Sequence, residues 1–255
     1  MTLDPTSWAA AALLLVVGVA AGFVNTLAGG GSLLTLPALM LVGLPVEVAN
    51  GTNRLSVFVQ SLSATAAFRH EGLLDEGKLP RITLPMLIGS FTGAWIASVL
   101  PPKVLEPMLV AGLLLIATLL VYKPKMLSPP DAEADTGAVT GRWAWIGLLA
   151  IGAYGGFLQA GVGIFLLAFL GGVMRLDLVR GNALKVATVA ALTAVALGVF
   201  LWHGLVRWVP GLALTLGTVA GAQLAVRFAV KRGGRGVRVV FFFAVVACVV
   251  AAALR

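Results

Sequence analysis

The chain has 255 residues, of which 60% are hydrophobic and 11% charged, against roughly 25% charge in a soluble domain. Its net charge of +8 does not point to nucleic acid, because most cations fall in short loops between apolar runs and no folded basic domain remains to carry a phosphate-binding face. A single cysteine, Cys248, excludes an intramolecular disulfide.

The first apolar run, Trp8 to Val24, precedes every cation of the chain, the first being Arg54. Lacking a basic leader, it reads as a retained segment rather than a cleaved signal. A breaker follows at Asn25 and Ala28-Gly29-Gly30-Gly31-Ser32, within which a second run, Leu27 to Val42, begins. Each glycine costs about 1 kcal/mol inside a helix, so the triplet is expected to unwind it. Unwound backbone at membrane depth needs protein or a wet cavity around it, and freed amides at the start of the next helix favour an anion. Close packing of small residues is the plainer alternative.

The third run, Thr52 to Phe68, is expected to open with Thr52, Asn53 and Arg54 in its first turn. Gln60, Ser61 and Ser63 form a stripe along it that either lines a path or bonds neighbouring helices. Leu79 to Leu100 and Val104 to Tyr122 complete the first half. A polar linker over 123–141, with Pro124, Pro129, Pro130 and three acids, separates residues 1–122 from residues 142–255.

The second half begins with Trp143 to Leu158 and a breaker at Gln159, Ala160, Gly161 and Gly163, which overlaps the run Val162 to Val173. Asn182 and Lys185 accompany the start of Ala183 to Trp202, and Val206 to Val230 and Val237 to Leu254 finish the chain. Its order repeats that of the first half. Ala28-Gly29-Gly30-Gly31 is echoed by Ala160-Gly161-Val162-Gly163, Gly51-Thr52-Asn53-Arg54 by Gly181 to Lys185, Phe68 to Leu73 by Phe200 to Leu205, and Gly89/Gly93 by Gly217/Gly221. Four echoes in one order indicate an internal duplication. The last pair reads as helix packing.

Charge tests the orientation of the halves. If each opens with a helical hairpin bent at its glycines, followed by three spans, every cation but Arg54, Lys103, Arg207 and Arg255 falls on one face. Counting each hairpin as a single span makes the split nearly even. The positive-inside rule therefore favours the hairpins. This gives an all-α polytopic membrane protein of about eight to ten segments, built as two inverted repeats, with both termini outside and the linker cytoplasmic.

Asn25, Gly29, Gly30, Gly31, Ser32, Thr52, Asn53, Arg54, Gln60, Gln159, Gly161, Gly163, Asn182 and Lys185 are the candidate substrate-binding residues. Arg54 and Lys185 would draw an anion at opposite mouths or at the site itself, unless they merely snorkel to the interface. All ten carboxylates lie at segment ends or in loops, which disfavours an intramembrane acid relay. His70 and His203 are too isolated to hold a metal. There is neither a Ser/His/Asp set nor a nucleotide-binding loop, so catalysis, ATP-driven transport and a cofactor are not expected.

Taken together, Asn25 to Ser32 with Pro37, Ala49-Asn50-Gly51-Thr52-Asn53-Arg54, Tyr154 to Gly163 and Asn182 to Val186 resemble the sulfite exporter TauE/SafE family, also called the four-toluene-sulfonate uptake family. The resemblance covers Trp8 to Leu254; the second breaker departs from a full glycine run at Val162 and Ile164. It implies an inner-membrane carrier of sulfite, sulfonates or related anions, usually outward. The partners expected are then a small anion and the lipid bilayer, with homo-oligomerisation left open. A membrane scaffold and a channel-like permease for another small anion are the rival readings.

Overall fold

The computed structural model describes residues 4–5, 7–122, 141–174 and 178–253. Among them it is wholly helical: α1 (Trp8–Ala28), α2 (Ser32–Leu41), α3 (Val46–His70), α4 (Leu79–Val99), α5 (Pro102–Tyr122), α6 (Arg142–Phe157), α7 (Val162–Met174), α8 (Leu178–Trp202) and α9 (Trp208–Ala253), the last broken at Gly233. The linker expected over 123–141 lies outside the described residues save for Gly141.

Local chemistry sets these boundaries. Ser7 caps α1 by accepting the Ala10 amide at 3.1 Å. Gly29 stops α1 in the left-handed region at φ 86°, its amide bonding Asn25 O at 2.9 Å, a conformation glycine reaches without steric cost. The echo between Phe68–Leu73 and Phe200–Leu205 is one helix cap formed twice. Gly72 and Gly204 both sit at φ 68°. The Leu73 amide bonds Phe68 O at 3.1 Å and the Leu205 amide bonds Phe200 O at 2.9 Å.

α1 and α2 form a hairpin. Chain reversal brings Gly31 against Ala21 and Asn25 of α1, and Leu39 and Val42 return to the level of Ala10 and Leu14. At ten residues, α2 is about 15 Å long, half the hydrocarbon thickness, whereas α1 has 21 residues. α3 lies against α8 at the centre. Around them, α1 packs along α9 and α4 along α6, and both contacts are built from glycine. Added Cβ atoms at Gly22 and Gly221 would strike the carbonyls of Thr218 and Val19, and at Gly93 and Gly156 those of Ala153 and Ser90. The packing role expected for Gly89/Gly93 and Gly217/Gly221 is what these contacts do.

The outer surface is apolar. Leu84, Ile88, Phe91, Trp95 and Val99 form an exposed stripe along α4, at the spacing of one helix face. Trp8, Trp202 and Trp208 stand exposed at helix ends, where amphipathic rings suit a headgroup layer. Four described segments are long and apolar enough to cross a membrane: Trp8–Ala28, Leu79–Val99, Val179–Trp202 and Trp208–Gly233. α3 has the length, at 25 residues, but it buries the polar run Asn50–Arg54 inside the bundle.

Three sequence expectations are corrected. α1 continues through Asn25 to Ala28 and so breaks later than Val24, because the Asn25 side chain is satisfied within the helical geometry by Gln60 and the Gly31 amide. α3 begins at Val46 rather than Thr52, capped by the Pro45 turn, and α8 begins at Leu178 rather than Ala183. Arg54 and Lys185 are accordingly two turns inside their helices. At 0% and 1% exposure, they neither open those helices, nor sit at mouths, nor snorkel, and they leave the count of facing charges.

Candidate functional site at the meeting of two broken helices

The two breakers touch. A Cβ on Gly29 would fall 2.5 Å from Gly163 Cα, and one on Gly163 would fall 2.6 Å from Gly29 Cα. Only paired glycines permit backbones so near. The end of α1 therefore meets the start of α7. α1 and α6 each finish in carbonyls at the negative end of the helix dipole, of which Asn25 O already accepts the Gly29 amide.

A cation from the other half covers each end. Lys185 Nζ, on α8, donates to Asn25 O at 2.9 Å, Thr26 O at 2.7 Å and Asn182 Oδ1 at 2.8 Å. Arg54, on α3, donates to Gly155 O at 2.7 Å, Gly156 O at 2.6 Å and Phe157 O at 3.1 Å. It also reaches Gln159 Oε1 at 2.8 Å, and its guanidinium lies 5.0 Å from the centre of the Phe200 ring. Neither cation forms an ion pair with a carboxylate among the described residues. Two charges are thus held in the interior by carbonyl and amide oxygens, with the Phe200 ring beside Arg54.

Amide side chains extend this polar centre. Asn25 Nδ2 donates to Gln60 Oε1 at 3.1 Å, Gln60 Nε2 to Thr26 Oγ1 at 3.1 Å, and Gln159 Nε2 to Thr193 Oγ1 at 3.0 Å. Tyr154 steadies the second breaker by donating to Ala160 O at 2.7 Å. Gln159 is the one non-glycine described residue at positive φ, 69°, a strained conformation of the kind that collects at functional sites.

A small cavity lies against Asn25, Gly29, Ser61, Gln159, Gly163 and Lys185, with apolar walls from Val162, Val186 and Val189. Its volume for the centre of a water-sized sphere is about 10 Å³, close to the minimum for one water. Five residues chosen from the sequence meet here. Others stand one contact behind: Arg54 through Gln159, Gln60 and the Gly31 amide through Asn25, and Asn182 through Lys185. Asn53 Nδ2 bonds Ser32 Oγ at 3.1 Å and Asn53 Oδ1 accepts from Thr35 at 2.6 Å, tying α2 to α3. Gly161 makes the left-handed turn before α7 at φ 69°, and Gly30 sits between the tips with room for a side chain.

Thr52 belongs elsewhere. Its hydroxyl accepts the Arg207 amide at 3.0 Å in the α8–α9 turn. Ser63 bonds α9 through Gln223 Nε2 at 2.6 Å, so the stripe on α3 divides: Gln60 and Ser63 join helices and Ser61 faces the cavity. Sequence reading missed Thr193, Thr26 and Tyr154. Thr193 is a single polar residue in an apolar run and gave no signal, whereas Thr26 lies beside Asn25 in the first breaker and Tyr154 adjoins the glycine pair of the second.

Comparison with known proteins agrees with these observations. A family model described as sulfite exporter TauE/SafE matches residues 14–254. The chain is 30% identical to the probable membrane transporter protein ORF9 of a Sinorhizobium species, over 88% of this chain and 85% of the relative. It is 26% identical to a probable membrane transporter protein of Haemophilus influenzae, over 87% and 86%, and 27% identical to the probable membrane transporter protein YfcA of Escherichia coli, over 89% and 83%. No solved structure matches it. With a match running through both breakers and both buried cations, the chain belongs to the sulfite exporter TauE/SafE family of membrane transporters.

Proposed function

We propose that this transporter carries a small sulfur-containing anion, such as sulfite or an organosulfonate, outward across the inner membrane. One observation carries the reading: two buried cations, without a carboxylate partner among the described residues, flank the point where two broken helices meet. Burying an ion costs several kcal/mol even after relaxation. Carbonyl dipoles offset part of that cost yet leave two net positive charges, which an anion would neutralise.

We read the halves as inverted repeats that rock against each other. Support comes from the reciprocal capping by Arg54 and Lys185, the twin glycine contacts of α1 on α9 and α4 on α6, and the identical caps at Gly72 and Gly204. Without Arg54 and Lys185, the loop charges still favour both termini outside and the 123–141 linker in the cytoplasm. A cavity of about 10 Å³ is too small for a four-atom oxyanion, so passage requires the walls to part. That favours alternating access over a standing channel. A scaffold would need none of these features.

The test is flux into proteoliposomes with a panel of sulfite, sulfonates, sulfate and chloride. Saturable uptake of a sulfur oxyanion is the expected result. Absence of flux for every anion would refute the proposal.

A further inference from the structure

We infer that the Ser61 hydroxyl is a direct ligand of the transported anion, donating a hydrogen bond to one of its oxygens; this rests on the anion reading above. Ser61 lies on α3 with 1% exposure and lines the cavity, yet its Oγ has no hydrogen-bond partner among the described residues. Partners are close at hand for such a group. Serine and threonine inside helices ordinarily bond a carbonyl three or four residues back, and their neighbours here do so: Ser56 to Asn53 O at 2.8 Å, Thr65 to Ser61 O at 2.7 Å and Thr215 to Gly211 O at 2.6 Å. Ser61 forgoes that bond and stays unsatisfied in the interior, where an unmade hydrogen bond is costly.

Its surroundings define the ligand. Lys185 shares the cavity wall, but an ammonium has three donors and all three are already bound to Asn25 O, Thr26 O and Asn182 Oδ1. Lysine therefore supplies charge without a free hydrogen. Arg54 is screened behind Gln159, whose oxygen accepts from it. Val162 and Gly163, the first two residues of α7, complete the wall with the positive end of that helix. An uncommitted O–H in a positive field, with no carboxylate on the wall, suits a compact oxyanion head such as sulfite.

The experiment compares wild type, Ser61→Ala and Ser63→Ala in proteoliposomes with sulfite as the probe, together with melting temperatures of the purified proteins. Ser61→Ala is expected to raise KM about tenfold, equivalent to about 1.4 kcal/mol, while the melting temperature without sulfite is unchanged or higher. Ser63→Ala, which removes the shorter of two Gln223 contacts and leaves the Ser63 carbonyl at 3.2 Å, is expected to lower the melting temperature slightly and leave KM unchanged. Sulfite should stabilise wild type against heat and Ser61→Ala much less. An unchanged KM in Ser61→Ala, in a wild type that carries sulfite, overturns the assignment alone. A Ser61→Ala protein that fails to fold overturns it too, by making the hydroxyl structural. Wild type that carries no anion removes the assignment and the transport reading together.

Discussion

Replacing Arg54 by methionine keeps much of the side-chain volume and removes the charge and every donor. The Phe157 carbonyl would retain the Asn50 side-chain amide at 2.9 Å. Gly155 O, Gly156 O and Gln159 Oε1 would each lose the Arg54 donor, and Asn50 Oδ1 would lose a longer contact at 3.4 Å. A buried acceptor left unmade costs about 1–3 kcal/mol, so the three short contacts give a gross loss of about 3–9 kcal/mol. Relief from burying the guanidinium offsets part of this, and the net expected is about 3–5 kcal/mol, the range for removing one member of a buried charge contact. At about 2–4 °C per kcal/mol for a chain of this size, the melting temperature should fall by roughly 6–20 °C. Arg54→Lys, which restores the charge and three donors, should lie between. Tryptophan fluorescence during thermal melting of the detergent-purified protein measures both. An Arg54→Met protein that melts within about 2 °C of wild type, by the same conversion, would refute the capping account.

Lys185→Met should abolish saturable sulfite flux and lower the melting temperature, because it uncovers Thr26 O and leaves Asn25 O with the Gly29 amide only; flux assays beside melts separate the two effects, and retained flux would exclude Lys185 from the transport site. Gly93→Ala and Gly221→Ala should each cost about 1–3 kcal/mol through overpacking, since both side chains would meet a carbonyl of the facing helix. Gly172→Ala, in open space on α7, should be neutral or stabilising by up to about 1 kcal/mol. In a Cys248→Ser background, a membrane-impermeant thiol reagent applied from outside should label Lys103→Cys and spare Asp131→Cys; labelling of the linker residue would reverse the orientation.

Much of the fold was legible because its strongest determinants are local. Glycine runs that stop helices, and apolar lengths that fit a bilayer, can be read along the chain. The glycine contacts were legible as pairs since Gly89/Gly93 and Gly217/Gly221 share one spacing. Helix starts were missed for a physical reason. Residues 46–51 carry Glu47, Asn50 and Gly51, which lower apolarity, yet tertiary burial makes them helical. The same blindness left Arg54 and Lys185 open between the mouths, the interface and the site itself. A cation's usual partner is a carboxylate, and nothing along the chain indicates that backbone carbonyls more than one hundred residues away will serve instead.

Since Lys185 closes the end of α1 across 160 positions of chain, the ribosome makes the first hairpin long before its closing group exists. At about 5–20 residues per second, that lag is roughly 8–32 s. Throughout it, Asn25 O has only the Gly29 amide and the Thr26 carbonyl must be met by water or by the insertion machinery. The second hairpin has no such wait, because Arg54 precedes it. Biogenesis is therefore lopsided between the two breakers, and a nascent chain halted at the linker holds Arg54 for the breaker still to come while lacking Lys185 for its own.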